Sequence, residues 1–366
     1  MTTTLTVRPL IFEPSFEVIP PDEGQTSLEL VEAMRSILET TYKDYGHAVR
    51  SVHAKAHGLL HGEIQVLDGL PLELAQGVFA QPGRLPVAIR FSTNPGDILD
   101  DKISTPRGMA IKIIGVEGER LPGSENEITQ DFVLQNAKAF TAPAPKAFLK
   151  TLKLLAKTTD KMPGTKKAMS AVFRGLETIV EAAGGASATL KSLGGHPLTH
   201  PLGETYYSVV PFLYGPYYAK LSIVPVTPQL TDLTNSAVDL NDRPDGLREA
   251  IGAYFSIQSA VWEVRIQLAT DLEKMPIEDA SVVWPEDVSP FIAVARIEVG
   301  SQSSWSTERV SEIDDGMAFS PWHGLASHRP LGGVMRVRKP SYELSAGFRG
   351  QHNGCPMHEP RALNDD

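Results

Sequence analysis

The chain has 366 residues, of which 42% are hydrophobic and 21% charged, and its formal net charge is −10. That composition suits a well-packed globular protein, one large domain or two ordinary ones, and it excludes the basic footprint of a nucleic-acid binder and gives no support for an anionic membrane surface. A single cysteine, Cys355, leaves no disulfide framework and no thiolate metal cluster, which fits a reducing, cytoplasmic setting. No apolar run approaches the roughly 18 residues of a membrane span. Residues 1–8 lack the basic and apolar regions of a signal peptide.

Residues 1–25 are proline-rich and aperiodic and read as an arm, leaving 26–366 as one domain. Thr26 and Glu29 have the spacing of a capping box, and Leu30, Val31, Met34, Leu38, Tyr42 and Tyr45 recur at helical intervals, so a helix is expected over 27–45. Alternation at Ile64 and Val66, then 85–93 and 108–116, reads as three strands. Between 146 and 193 the pattern turns lysine- and alanine-rich, broken at Pro163-Gly164 and Gly184-Gly185, as in a helical insertion. Strand signals return at 206–210 and 217–226, a helix is expected over 246–256, and Trp262, Val264, Ile266 and Leu268 alternate as a half-buried strand. Residues 291–299 read as another strand, and a helix closes the chain before an irregular tail. The sum is α+β: mostly antiparallel strands with helical insertions, and no βαβ repeat or phosphate-binding glycine loop.

Three stretches carry chemistry. Arg338, Tyr342 and Arg349 stand at offsets that place all three on one helix face. A phenol with a guanidinium one turn away is shifted toward phenolate, a ligand suited to ferric iron, although a core tyrosine beside solvated arginines has the same spacing. His53, His57 and His61 recur every four residues, but the acidic residue of the zinc pattern is absent and Gly58 interrupts the helix it needs. Arg90 and Ser92 share a face of the strand around Phe91. An inward guanidinium requires an anion, either a cofactor carboxylate or a partner Asp or Glu.

In order along the chain, Arg50-x-x-His53-Ala54-Lys55, Arg90-Phe91-Ser92-Thr93, Pro106 to Lys112, Val283-Trp284-Pro285 with 291–297, Ala318-Phe319-Ser320-Pro321, and Arg338 to Arg349 resemble the successive core blocks of haem catalases. The resemblance runs over roughly residues 20–360 and lacks the long carboxy-terminal extensions of larger members, so the chain resembles a minimal, catalase-related haem protein. It implies a catalase-like antiparallel β-barrel of about eight strands, with a proximal haem-ligand helix near the C-terminus.

By that resemblance, the cofactor is haem b, Tyr342 is its iron ligand, and Arg338 keeps the phenol ionised. Arg50, Arg90 and Arg349 match the propionate arginines, His53 the distal acid/base, and Ser92 the residue that fixes its tautomer. Val52 would narrow the distal channel and Phe140 would pack on the haem face. Where the family has its distal asparagine this chain has Glu127, with Asn126 one residue away; Asn126 is taken as the distal amide. The NADPH site of some larger catalases is not carried over.

The function implied is reduction of hydrogen peroxide or organic hydroperoxides through a ferryl intermediate, by a catalase or a peroxidase using an organic electron donor. Alternatives are a fatty-acid hydroperoxide isomerase like the allene oxide synthases, which typically have threonine where this chain has Val52, a biosynthetic haem oxidase, and a haem carrier or sensor. The short arm suggests a homodimer, with no nucleic-acid or membrane partner.

Overall fold

The computed structural model describes residues 7–160, 198–354, 357 and 359–364. Nine antiparallel strands form one sheet: β1 (Ala56–Val66), β2 (Gly83–Thr93), β3 (Arg107–Ile114), β4 (Thr129–Gln135), β5 (Tyr206–Tyr207), β6 (Phe212–Tyr214), β7 (Tyr217–Pro225), β8 (Ala260–Leu268) and β9 (Ile292–Val299). The short strand β5 pairs with β4 on one side and β7 on the other. The sheet therefore closes into a barrel of every strand except β6, which hangs on β7. The closing contact is short, with one residue pair between β4 and β5 and two between β5 and β7.

Period-two alternation sorts the side chains. Ile89 and Phe91, Ile111 and Ile113, Phe132 and Leu134, and Trp262, Val264 and Ile266 fill the barrel. On β2, β3 and β4 the opposite, outer face is laid out in three cross-strand rows. Ser92, Gly108 and Gln135 form the first, Arg90, Ala110 and Val133 the second, and Ala88, Lys112 and Asp131 the third. The site is built on this outer face.

Helices α1 (Glu23–Tyr45), α2 (Pro145–Asp160) and α4 (Gly333–Asn353) pack together on this side, while α3 (Gly246–Phe255) seats Ile251 and Phe255 in the barrel core. Leu30, Met34 and Ile37 of α1 pack against Leu149 and Leu152 of α2 and Val337 of α4. Arg336 of α4 binds Glu17 of the arm at 2.7 Å, Glu23 of α1 at 2.8 Å and Glu278 at 2.9 Å. This hub sets where the tyrosine helix starts.

Several expectations move. Helix α1 begins at Glu23, whose N–H bonds Pro20. The Thr26 hydroxyl donates back to the Asp22 carbonyl at 3.0 Å and Glu29 is drawn to Lys153, so no capping box forms. Strand β5 stops short of Val210 because Val209 takes a left-handed backbone with φ of 54°. Strand β4 escaped the sequence reading altogether, because Gln130 and Asp131 break its apolar alternation. The helical insertion is seen only as α2; 161–193, and residues 1–6 of the arm, lie outside the described residues. Among the described residues no helix is long and apolar enough to cross a membrane.

Candidate active site

A cavity of about 240 Å³ lies between the outer face of β2–β4 and helix α4. His53 and Tyr342 both line it, as do Arg50, Val52, Arg90, Ser92, Arg338 and Arg349. Residues nearly 300 positions apart are thus brought to one wall-to-wall space.

His53 ends the loop before β1, in a left-handed conformation with φ of 54° that is costly for a residue with a Cβ. Three contacts hold it there. Its N–H donates to the Asn94 carbonyl at 2.8 Å, its carbonyl accepts from Arg90 Nη2 at 2.9 Å, and its ring Nδ1 meets the Ser92 hydroxyl at 3.0 Å. Gly108, beside Ser92 in the ladder, is the floor under the ring. A Cβ there would stand 2.6 Å from His53 Cε1, so only glycine admits the ring. Burial, then the charges of Arg90, Arg338 and Arg50, push the His53 pKa down to about 3. The imidazole is neutral, and with Nδ1 engaged by Ser92, Nε2 is the nitrogen left to face the cavity.

Tyr342 comes from the opposite side, one turn along α4 from Arg338, whose Nη2 donates to the phenol oxygen at 2.7 Å. Phe140 packs on the far face of that guanidinium, 5.6 Å from its centre, and Phe148 of α2 meets Phe140 edge-on. Phe140 is not among the residues lining the cavity, so it clamps Arg338 rather than covering a ligand face. Spacing alone suggested that Arg338 lowers the Tyr342 pKa. In the fold burial is the larger effect and raises it, with Arg338 opposing. The residue is a phenol even with the Arg338 guanidinium on its oxygen.

The cluster at the cavity edge has one more member than the sequence reading found. Arg90 Nε binds Asp314 at 2.8 Å, and Arg50 pairs with the same carboxylate. Arg349 donates to the Asp314 carbonyl at 2.8 Å and to Met317 at 3.1 Å. Part of the anion that Arg90 required is therefore a protein carboxylate. Burial would raise the Asp314 pKa, but Arg90 and Arg50 outweigh it and hold the carboxyl below its ordinary range. One carboxylate does not balance three guanidiniums. Burial, with mutual repulsion from Arg90 and Arg349, lowers Arg50 well below its usual value. Burial and Arg90, against the pull of Asp314, take Arg349 down to about 10, and its Nε has no hydrogen-bond partner.

Asn126 is overturned as a cavity amide: it sits exposed in the turn before β4 and does not line the cavity. Glu127 faces a different neighbourhood, His323 and Glu359, where burial raises its pKa. The amide that does line the cavity is Gln135, in the row of Ser92 and Gly108. His57 and His61 diverge: His57 Nε2 meets Thr93 at 3.1 Å, whereas His61 meets Glu312 at 3.0 Å.

At the other end of the wall Lys112 and Asp131 pair at 2.7 Å with no solvent exposure. Glu359 and His323 join them, and burial notwithstanding, Asp131 and Glu359 carry the His323 pKa up to about 10. This network ties the tail to the barrel. The lysine already supplies the cation, so the Glu127, His323 and Glu359 group reads as an ion-pair cluster.

Comparison with solved structures places the architecture. A fungal catalase crystal structure superposes with a TM-score of 0.59 at 18% identity, covering 86% of this chain and 63% of the other. Catalase A from Saccharomyces cerevisiae gives 0.59 at 20% identity, with 86% and 64% covered. The chain has the catalase-like α+β fold, an eight-stranded antiparallel barrel flanked by helices. It spans less than two thirds of the length of those catalases. No family model and no curated protein matches it.

Proposed function

We propose that the chain is a haem-dependent oxidoreductase that reduces hydrogen peroxide or an organic hydroperoxide. One observation carries this: a single cavity holds a neutral histidine and a buried phenol, with three arginines gathered at Asp314 on its edge, two on its carboxylate and Arg349 on its carbonyl. The donor set fits haem b. Arg50, Arg90 and Arg349 carry two positive charges beyond what Asp314 balances, matching two propionates, and forked guanidinium donors suit carboxylates. Tyr342 would hold the iron, with Arg338 supporting its phenolate. Bound there, the haem would supply the site at which peroxide oxygen is reduced.

The protein's own part is proton handling. His53 is neutral across the physiological range, so Nε2 is free to take the proton from the near oxygen of the peroxide. Returned to the far oxygen, the same proton lets that oxygen leave as water rather than hydroxide. Ser92 keeps the ring in the tautomer that leaves Nε2 basic, and Arg90, through the His53 carbonyl, keeps the strained backbone in place. Gly108 sets how close the ring lies to the sheet. A carrier of haem has no use for this histidine, and Val52 beside it lines the same cavity.

The test is an absorption spectrum of protein expressed with haem supplied, followed by assays for oxygen release and dye oxidation with hydrogen peroxide. A Soret band with either activity is expected. Oxygen release selects a catalase; dye oxidation without oxygen selects a peroxidase. Absence of a Soret band refutes the reading.

A further inference from the structure

Heterolysis of an O–O bond leaves developing negative charge on the departing oxygen, so a site for it gains from a neutral hydrogen-bond donor aimed there as well as a proton carrier. We propose that Gln135 is that donor, a catalytic residue whose side-chain amide binds the departing oxygen while His53 delivers its proton. This rests on the peroxide-reducing function proposed above.

The ladder supplies the geometry. Ser92, Gly108 and Gln135 are directly opposed across β2, β3 and β4, so their side chains leave the same face of the sheet. That face is the one under His53, since a Cβ on Gly108 would meet the histidine ring at 2.6 and 2.7 Å. Neighbouring strands lie about 4.8 Å apart, which sets Gln135 about 10 Å from Ser92 across the bare glycine. The ring lies over the glycine, and Gln135 stands on the next strand, on the side of the ring away from Ser92.

The neutral donors beside Gln135 are committed, whereas Ser341 Oγ and Trp322 Nε1, which also line the cavity and have no partner, come from α4 and from the loop before it. Ser92 holds His53. The Ser208 hydroxyl donates to the Val210 carbonyl and accepts from the Leu221 N–H. Asn136, the adjacent amide, donates to Glu204 and accepts from the Arg107 N–H. Among the described residues no hydrogen bond restrains the Gln135 amide, and it faces the cavity. An amide has no charge to lose with pH, so its N–H donors are always present.

The step balances as follows. The O–O bond breaks, and the proton of the near oxygen passes through His53 Nε2 to the far oxygen, which departs as water. The two electrons consumed would come from the haem of the function proposed above. Gln135 contributes only its hydrogen bond.

The experiment uses haem-loaded protein, with Gln135→Leu, Gln135→Glu and His53→Ala beside the parent. Haem content, melting temperature, the stopped-flow rate of the Soret change with hydrogen peroxide, and cyanide affinity are measured. Gln135→Leu is expected to keep its haem and melting temperature while the peroxide rate falls about 10²- to 10³-fold. Its cyanide affinity should fall about tenfold, because the bound cyanide nitrogen loses a donor. Gln135→Glu, of the same volume but an acceptor at neutral pH, should behave alike and decides the matter if the leucine variant misfolds. A rate within threefold of the parent, with cyanide affinity unchanged, overturns the role of Gln135. If instead His53→Ala is as fast as the parent, or the parent binds no haem, the underlying function fails.

Discussion

Asp314 is the test of the arginine cluster, because its carboxylate is bonded by both Arg50 and Arg90 and its backbone carbonyl by Arg349. Asp314→Asn keeps the volume and replaces an acceptor of two charged hydrogen bonds, from Arg90 at 2.8 Å and from Arg50, with a neutral group. Its side chain is 18% exposed, so solvent relieves little of the loss. Removing one partner of such a buried pair costs about 3–5 kcal/mol, mainly because the remaining charges stay buried and unpaired. In haem-free protein the midpoint of urea unfolding should fall accordingly, with the slope unchanged. Haem should reverse most of the loss, since its two carboxylates return the missing negative charge. Asp315→Asn, whose carboxylate bonds the half-exposed His47 and acts on Arg349 more weakly than Asp314 does, serves as the control and should cost under about 1 kcal/mol. A loss below about 1 kcal/mol for Asp314→Asn, or an equal loss with and without haem, refutes the charge argument.

The remaining predictions concern the histidine side and the response to pH. His53→Ala should retain haem and lose about 10²- to 10⁴-fold in peroxide turnover. Gly108→Ala places a methyl 2.6 Å from His53 Cε1; it should cost about 1–3 kcal/mol of stability by urea unfolding, and turnover should fall with it, whereas unchanged turnover would show that the ring does not rest on this glycine. Burial holds His53 near 3 and both His200 and His328 near 4, against an unfolded value of 6.5. The unfolded chain then binds the extra protons, so stability is present above pH 6.5 and is lost toward pH 4, at about 1.4 kcal/mol per pH unit for each histidine. His323 works in the other direction: raised to about 10, its contribution is full below 6.5 and lost as pH rises toward 10. Urea unfolding at a series of pH values should therefore give maximum stability near pH 6.5, and a flat profile from pH 6 to 4 would contradict it.

The barrel was legible in the sequence because β2, β3, β8 and β9 keep their apolar alternation, and a barrel interior enforces that pattern. Strand β4 was hidden because its outer face carries Asp131, whose burial is made tolerable by Lys112 on the neighbouring strand, a pairing that no local pattern displays. The same reason hid Asp314. Its partners lie 224 and 264 residues upstream, and Asp-Asp-Gly in isolation reads as a turn. Asn126 went wrong differently: motif spacing across a loop is uncertain by one residue, and the strand register put a different amide, Gln135, on the cavity face. Spacing found Arg338 beside Tyr342 correctly. It could not weigh the depth of burial, which decides the sign of the pKa shift.

That sign has a consequence for how the cavity is completed. With Tyr342 neutral, Arg50, Arg90, Arg349 and Arg338 against Asp314 leave three net positive charges around one buried space. A neutral ligand would leave that repulsion in place, and a cation alone would add to it. A ferric haem would carry its iron charge against two negative pyrroles and two propionates, and binding of Tyr342 to the iron would release the phenol proton. It therefore brings two negative charges in total once the phenolate is counted, and the buried excess falls from three to one. Burying charge is expensive in proportion to what remains unbalanced. Neither end of the site suffices for this. On the function proposed above, the propionates would meet the arginines and the iron the phenol, so one haem would answer both ends of the site at once.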